Sequence, residues 1–446
     1  MNETSEPDWY AKSITWKSEE EKEYYRKLRE QINWNNPKEV YTQVKKAYNN
    51  HDTYREQNSL NLIASENIMS PLAQNYLGSN LGFRVCDGPV GKKVFGSGVQ
   101  YLEEIEAICV EASRKLFDAR YVEHRLLSGT MGCAAIHFAF SDRNSTIMTQ
   151  SSDAGGVVCN RPEGPPKYTG AKVIDIPWDT ETMNVDLEEF KKLYDETKPE
   201  LIILGAMITL FPYPVKEISE IAQNSIIAYD GAHVGGLIAG KRFQDPLKDG
   251  ADLLLVNTHK QMGGPPGSLI LSNEEKIAHA ISETTFPFLV ATPYCNKFAS
   301  LAVTLAELLE HSKDYADQIV KNAKTLGSEL DKNGINVLCK NQNYTESHQL
   351  MLDIRDIGSG YEVEQRLAES HIICNKMPLP GDPWDERSGI RIGTNEVTRR
   401  GMKEKEMKII AEIITEVLME RTQVEKAAET VSDFMTDFQD VHYTLE

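Results

Sequence analysis

Between Leu60 and Ser272 the chain repeats one pattern, a short apolar run followed by an amphipathic stretch of helical period. The apolar runs are Thr146–Thr149, Lys172–Ile176, Leu201–Leu204, Ile226–Tyr229, Leu253–Val256 and Ser268–Leu271. Helical stretches lie among them, for example Leu102–Leu116, Gly132–Phe140, Leu187–Glu196 and Val215–Gln223. Continuous apolar runs read as strands covered on both faces, and strands that alternate with helices build a mostly parallel sheet between helical layers. The pattern predicts an α/β fold. Ligands of such sheets bind at the carboxyl ends of the strands, so the residues that close these runs carry the functional argument.

The flanks differ. Residues 1–58 are charge-rich, with helical patterns over Ser18–Ile32 and Pro37–Asn49 and no chemical motif. After Tyr294 a long helical stretch, Lys297–Lys332, leads into an α+β pattern containing Gln349–Ile354, Val363–Glu369 and Gly389–Ile392. Two further helices, Lys403–Glu420 and Val424–Phe438, follow. A chain of 446 residues exceeds one ordinary core. We therefore expect an N-terminal helical arm (1–58), a large domain (59–290) and a smaller C-terminal α+β domain (291–446).

Composition excludes several functions. The formal charge of −19 argues against nucleic acid and anionic membrane as partners. No apolar run is long enough to span a bilayer, and the first ten residues are polar and acidic, which predicts neither signal peptide nor anchor. The seven cysteines are scattered without a CxxC pair, the pattern of reduced thiols in a cytoplasmic protein, and no metal site is expected.

Lys260 follows the run Leu253–Val256 and precedes the irregular loop Gly263-Gly264-Pro265-Pro266-Gly267. A lysine held at a strand end out of bulk water can serve as a nucleophile or Schiff base; a solvated loop lysine fits that stretch equally well. Asp230 closes Ile226–Tyr229, thirty residues ahead of Lys260. A buried carboxylate needs a partner, and the protonated ring nitrogen of pyridoxal 5'-phosphate (PLP) is one; capping the next helix is the alternative. Ser128-Gly129-Thr130 opens a helix with small residues, a phosphate cradle or an ordinary cap. Arg391, within Gly389–Ile392, is suited to grip a carboxylate through two parallel hydrogen bonds if it faces the cleft.

Taken together, Leu62-Ile63-Ala64-Ser65-Glu66-Asn67, Ser128-Gly129-Thr130, Asp230-Gly231-Ala232-His233-Val234, Thr258-His259-Lys260 with its Gly-Pro loop, and Gly389-Ile390-Arg391-Ile392-Gly393-Thr394 running to Thr398-Arg399-Arg400-Gly401-Met402 resemble serine hydroxymethyltransferase. That family belongs to the fold type I, aspartate-aminotransferase-like PLP enzymes. The resemblance implies a large domain with a mostly parallel, seven-stranded-type sheet and a smaller C-terminal domain. It implies that Lys260 carries PLP as a Schiff base, Asp230 pairs with the ring nitrogen and His233 lies against the ring oxygen. Ser128, Gly129 and Thr130 would hold the phosphate, with His259 and Gly263 beside the cofactor and Val157 over its ring. Arg391 and Ser65 would take the substrate carboxylate. It also implies a homodimer in which each active site is completed by its neighbour.

The chain departs from the family at the shell around this core. Where the family has a Tyr-Ala-Glu-Gly segment followed by a paired-tyrosine step and a Gly-Gly turn, this chain has the stretch from Val85-Cys86-Asp87-Gly88 to Phe95-Gly96-Ser97-Gly98. Asp87 stands at the glutamate position with a shorter reach, and Val85 and Phe95 lack hydroxyls. Val157 occupies a position where the family usually stacks a histidine on the ring. Pro265-Pro266-Gly267 lacks the arginine of the family's Pro-Arg-Gly, whereas Asn375-Lys376 before Pro378 still resembles the family's approach to its folate pocket. We therefore expect an α-amino acid to react through an external aldimine and quinonoid, with a Cα–Cβ bond made or broken in an aldolase, transaldolase or hydroxymethyl-transfer sense. Asp87 is the candidate acid/base, an aldehyde is the candidate acceptor, and the changes argue against tetrahydrofolate as an obligatory co-substrate. Transamination or decarboxylation on the same scaffold is the rival, and a non-catalytic paralogue the third reading.

Overall fold

The computed structural model describes residues 15–383 and 386–446. They form two compact units that divide after Asn58. In the first, helix α1 (Glu19–Gln31) opens on a capping box between Ser18 and Glu21, and α2 (Pro37–His51) opens on Asn36 with proline in its first turn. Both match the helical patterns of the sequence.

The second unit carries the predicted sheet. Its strands are β1 (Tyr121–Glu123), β2 (Thr146–Thr149), β3 (Lys172–Asp175), β4 (Leu201–Leu204), β5 (Ile226–Asp230), β6 (Leu253–Asn257) and β7 (Ser268–Ser272), in the order β1-β7-β6-β5-β4-β2-β3. Pairing is parallel from β6 through β3, and β7 runs antiparallel to both its neighbours. The strands β4 to β7 are buried on both sides because their apolar runs feed two cores alternately, whereas the edge strand β3 is partly exposed. Ile202, Leu204, Tyr229, Leu254 and Val256 enter one cluster, whereas Leu201, Ile203, Ala228, Leu253 and Leu255 enter the other. Sequence patterning missed β1, a three-residue edge strand that ends in a charged residue and has no apolar run.

Helices flank the sheet, among them α3 (Gln100–Phe117), α4 (Gly129–Phe140), α5 (Leu187–Thr197) and α6 (Val215–Ile221). The 38-residue helix α7 (Cys295–Lys332) is about 57 Å long at 1.5 Å per residue. Leu301, Leu305, Leu308, Tyr315 and Ile319 pack into the core of the large sheet, and Leu326 and Leu330 into that of a second sheet. This second sheet is antiparallel, built of β8 (Asn336–Val337), β9 (Gln349–Asp353), β10 (Asn375–Met377) and β11 (Gly389–Gly393) in the order β8-β9-β11-β10. Leu60 and Leu62, far upstream in the chain, pack into the second core, and Leu60–Asn61 pairs in parallel with Ile372–Ile373.

Candidate active site

The site forms where the carboxyl ends of β5 and β6 meet the second sheet. Asp230 is the last residue of β5, in register with Leu255 of β6, and Lys260 follows three residues after β6 ends. The loop beyond it is locked by backbone bonds from Gly263 to Lys260 (3.0 Å) and from Gly264 to Thr258 (2.8 Å), and by the Thr258 hydroxyl donating to the Pro265 carbonyl (2.5 Å). Gly263 turns the chain at φ +67°, a left-handed conformation that glycine adopts without a Cβ penalty.

Lys260 Nζ lies 3.0 Å from His233 Nε2. Burial lowers the pKa of Lys260; the Asp230 carboxylate opposes this, and the Arg391 charge reinforces it. The amine is thereby moved toward its neutral, nucleophilic form. His233 is held well below its ordinary value by burial and by the neighbouring cations, so its ring stays neutral. Its Nδ1 lies 3.3 Å from Gln349 Nε2, and the Gln349 carbonyl oxygen accepts from the Thr209 amide at 2.8 Å.

Asp230 is buried. Asn160 Nδ2 donates to its Oδ2 at 3.1 Å, the Cys133 thiol reaches the same oxygen at 3.9 Å, and the Ala232 amide donates to Oδ1 at 3.1 Å. Burial raises the pKa of this carboxyl, while the Lys260 charge and these donors pull it back down. His137 Nε2 supports Asn160 Oδ1 at 3.1 Å, and burial takes His137 down to about 4.

The Arg391 guanidinium is buried without a carboxylate in contact. It donates to the Met207 carbonyl at 2.6 Å and to Asn375 Oδ1 at 3.0 Å, and its Nε has no acceptor. Burial lowers its pKa to about 10. Asn375 sits directly opposite Arg391 across β10 and β11, whereas the Lys376 ammonium pairs with Glu364.

Ser65 is half-buried in a turn held from three sides. His348 Nε2 lies 2.9 Å from the Ala64 carbonyl, Asn395 Nδ2 donates to the Glu66 carbonyl, and a Cβ on Gly393 would stand 2.5 Å from Ala64 Cα. Ser128 caps α4 by accepting from the Met131 amide at 3.1 Å, which leaves the amides of Gly129 and Thr130 without intrahelical acceptors. At Gly129 a Cβ would come within 2.5 Å of the Asn257 side-chain amide, so any larger residue would displace Asn257. His259 is half-buried, its pKa lowered by burial and its Nδ1 unpartnered. Val157 is half-buried at the start of the short turn Val158–Asn160 that delivers Asn160 to Asp230.

The residues present fit PLP. A lysine facing a neutral imidazole, a buried carboxylate contacted only by neutral donors, an unpartnered Arg391 Nε and a capped helix start are the groups its carbonyl, ring nitrogen, phosphate and amino-acid partner require. Asp87 is buried. Its Oδ2 accepts from Thr292 at 3.2 Å, its Oδ1 is buried without a partner, and no bond joins it to Lys260, His233 or Arg391.

Sequence reasoning missed Asn160, Gln349, His348 and Asn257. Gln349 and His348 sit at the start of a strand that reads as core, and Asn160 and Asn257 lie at element ends without a motif of their own.

The serine hydroxymethyltransferase family profile matches residues 38–414. Serine hydroxymethyltransferase of Methanothermobacter marburgensis is 42% identical over 412 residues, covering 91% of this chain and 96% of the relative. That of Sulfolobus acidocaldarius is 37% identical, covering 88% of this chain and 92% of the relative. The crystal structure of L-threonine transaldolase from Pseudomonas fluorescens superposes with a TM-score of 0.85 at 24% identity over 94% of this chain and 96% of that one, a likeness of fold. The chain belongs to the serine hydroxymethyltransferase family and is a PLP-dependent enzyme of the transferase/aldolase type.

Proposed function

We propose that this enzyme makes or breaks the Cα–Cβ bond of a β-hydroxy amino acid without an obligatory folate. The reading rests on one contrast. Lys260, Asp230, His233 and Arg391 form a complete buried set, whereas the segment with Val85, Asp87 and Phe95, together with Val157, departs from the family.

PLP, when bound, supplies an electron sink for negative charge developing at Cα. Arg391 offers Nε to the substrate carboxylate and, with Ser65, orients the amino acid. Lys260 Nζ, its pKa lowered by burial, is the nucleophile and afterwards the base positioned to move a proton. Asp230 presents a carboxylate to a cationic nitrogen, and Asn160 keeps that carboxylate aimed. Asp87 is the acid/base for the β-hydroxyl. It makes no hydrogen bond to Lys260, His233 or Arg391 of its own chain, which supports a role in the site of a neighbouring subunit.

The test is aldehyde release by the PLP-loaded enzyme from threonine and from serine, each with and without a tetrahydrofolate. We expect acetaldehyde from threonine at a rate indifferent to folate. Turnover confined to serine plus tetrahydrofolate would overturn the folate-independent reading, and keto acid or carbon dioxide in place of aldehyde would overturn the bond assignment. Lys260→Ala should abolish turnover, and borohydride should then no longer fix a pyridoxyl label on the protein.

A further inference from the structure

Two cysteines that the mechanism leaves unused meet inside this site. Cys133 lies on α4, buried, one turn beyond Thr130. Cys159 lies half-buried in the turn Val158–Asn160. Their sulfurs are 3.1 Å apart, inside van der Waals contact, and need only about 1 Å more to reach the roughly 2.05 Å of a disulfide. The approach is built in. His137, one turn further along α4 from Cys133, ties the residue after Cys159 through its 3.1 Å contact with Asn160, so helix and turn are held in register beside the two thiols. Both reach Asp230, Cys133 directly at 3.9 Å and Cys159 through its neighbour Asn160, which donates to the same Oδ2 at 3.1 Å.

We propose that Cys133 and Cys159 are a peroxide-oxidisable dithiol whose disulfide weakens the cofactor site. The sulfur of Cys159, the less buried residue of the two, attacks the O–O bond of hydrogen peroxide. An S–O bond forms, the O–O bond breaks, and the leaving hydroxide takes the thiol proton to become water. The Cys133 sulfur then attacks the Cys159 sulfur, the S–S bond forms, the S–O bond breaks, and the second water leaves with the Cys133 proton. Two electrons pass from the two sulfurs to one peroxide. The product has lost the Cys133 S–H that faces Asp230, and it draws the Val157–Asn160 turn toward α4, away from the geometry that aims Asn160. The thiols of Cys86 and Cys295 also touch, but both are buried and out of reach of solvent in the folded protein.

The disulfide does not depend on the assignment of the amino-acid reaction, so the two can fail separately. Apo protein is treated with a slight excess of hydrogen peroxide, alkylated, digested and mapped by mass spectrometry. We expect a peptide pair joined through Cys133 and Cys159, lighter by two hydrogens and separated by dithiothreitol. The link should vanish in Cys133→Ser and in Cys159→Ser, and persist in Cys339→Ser. Wild-type protein that instead accumulates sulfinic acid at Cys159, or links Cys86 to Cys295, overturns the proposal. Titration of PLP into oxidised and reduced wild-type protein supplies the second readout, because it needs neither a variant nor turnover. We expect affinity at least about threefold weaker after oxidation, recovered on reduction, as when a carboxylate loses a donor. Equal affinities would overturn the coupling to the cofactor site.

Discussion

At the scale of single residues, Arg391 carries the sharpest expectation. A buried guanidinium held, among the described residues, by the Met207 carbonyl and the Asn375 amide keeps its Nε for an incoming carboxylate. Hydrogen bonds to charged groups contribute about 1.5–3 kcal/mol, so Arg391→Lys, which cannot reproduce the planar fork, should lower kcat/KM roughly 10- to 150-fold. Steady-state kinetics checks this, with most of the loss in KM. A change confined to kcat would mean that the arginine acts on the reaction and not on substrate binding. His137 shows the opposite design. It is buried and neutral, its ring spent on orienting Asn160 toward Asp230.

At the scale of elements, the first turn of α7 carries a buried lysine. Lys297 donates to the carbonyls of His124 (3.2 Å) and Leu126, at the end of the segment that runs into Ser128-Gly129-Thr130. Burial takes its pKa to about 8 from an unperturbed 10.5. Below pH 8 it is protonated both folded and unfolded, and the fold bears the full cost of the buried charge. Between pH 8 and 10.5 the unfolded chain binds more protons than the folded one, so stability rises with pH across that window. At about 1.4 kcal/mol per unit, wild type should gain about 3 kcal/mol relative to Lys297→Met, read from urea midpoints at fixed slope. A pH-independent difference would place the lysine in contact with water. His137 shows the same direction of dependence at acid pH. Its folded pKa of about 4 lies below the unperturbed 6.5, so its contribution is lost as pH falls from 6.5 toward 4. His137→Gln should flatten that acid limb of the stability profile.

At the scale of the whole molecule, Asp87 decides how many chains make one site. If each site joins Lys260 of one subunit to Asp87 of the other, Asp87→Asn and Lys260→Ala are inactive alone yet complement each other. In a randomly reassorted equal mixture half the dimers are mixed, and each mixed dimer has one intact site and one doubly defective site. Activity should therefore recover to about a quarter of wild type after subunit exchange, a value set by counting alone. Absence of recovery, with exchange verified by native mass spectrometry, would put both residues in the same subunit's site.

The chain's own pattern determined the α/β class, six of the seven strands of the large sheet, and the position of Lys260 and Asp230 at strand ends. Short apolar runs that alternate with helical stretches fit strands covered on both faces, and the residue that closes each run then falls at the sheet's carboxyl edge. The edge strand Tyr121–Glu123 was not legible, because three residues with one polar face carry no period. Tertiary structure alone decided the rest. It brought Leu60 and Leu62 into a core built mostly from residues beyond 325, joined Gln349 to His233, aimed Asn160 at Asp230, and set Cys133 against Cys159. These are contacts between residues far apart in the chain, made by side chains whose local sequence is ordinary. Their partners are fixed by where the elements pack, which no local period encodes.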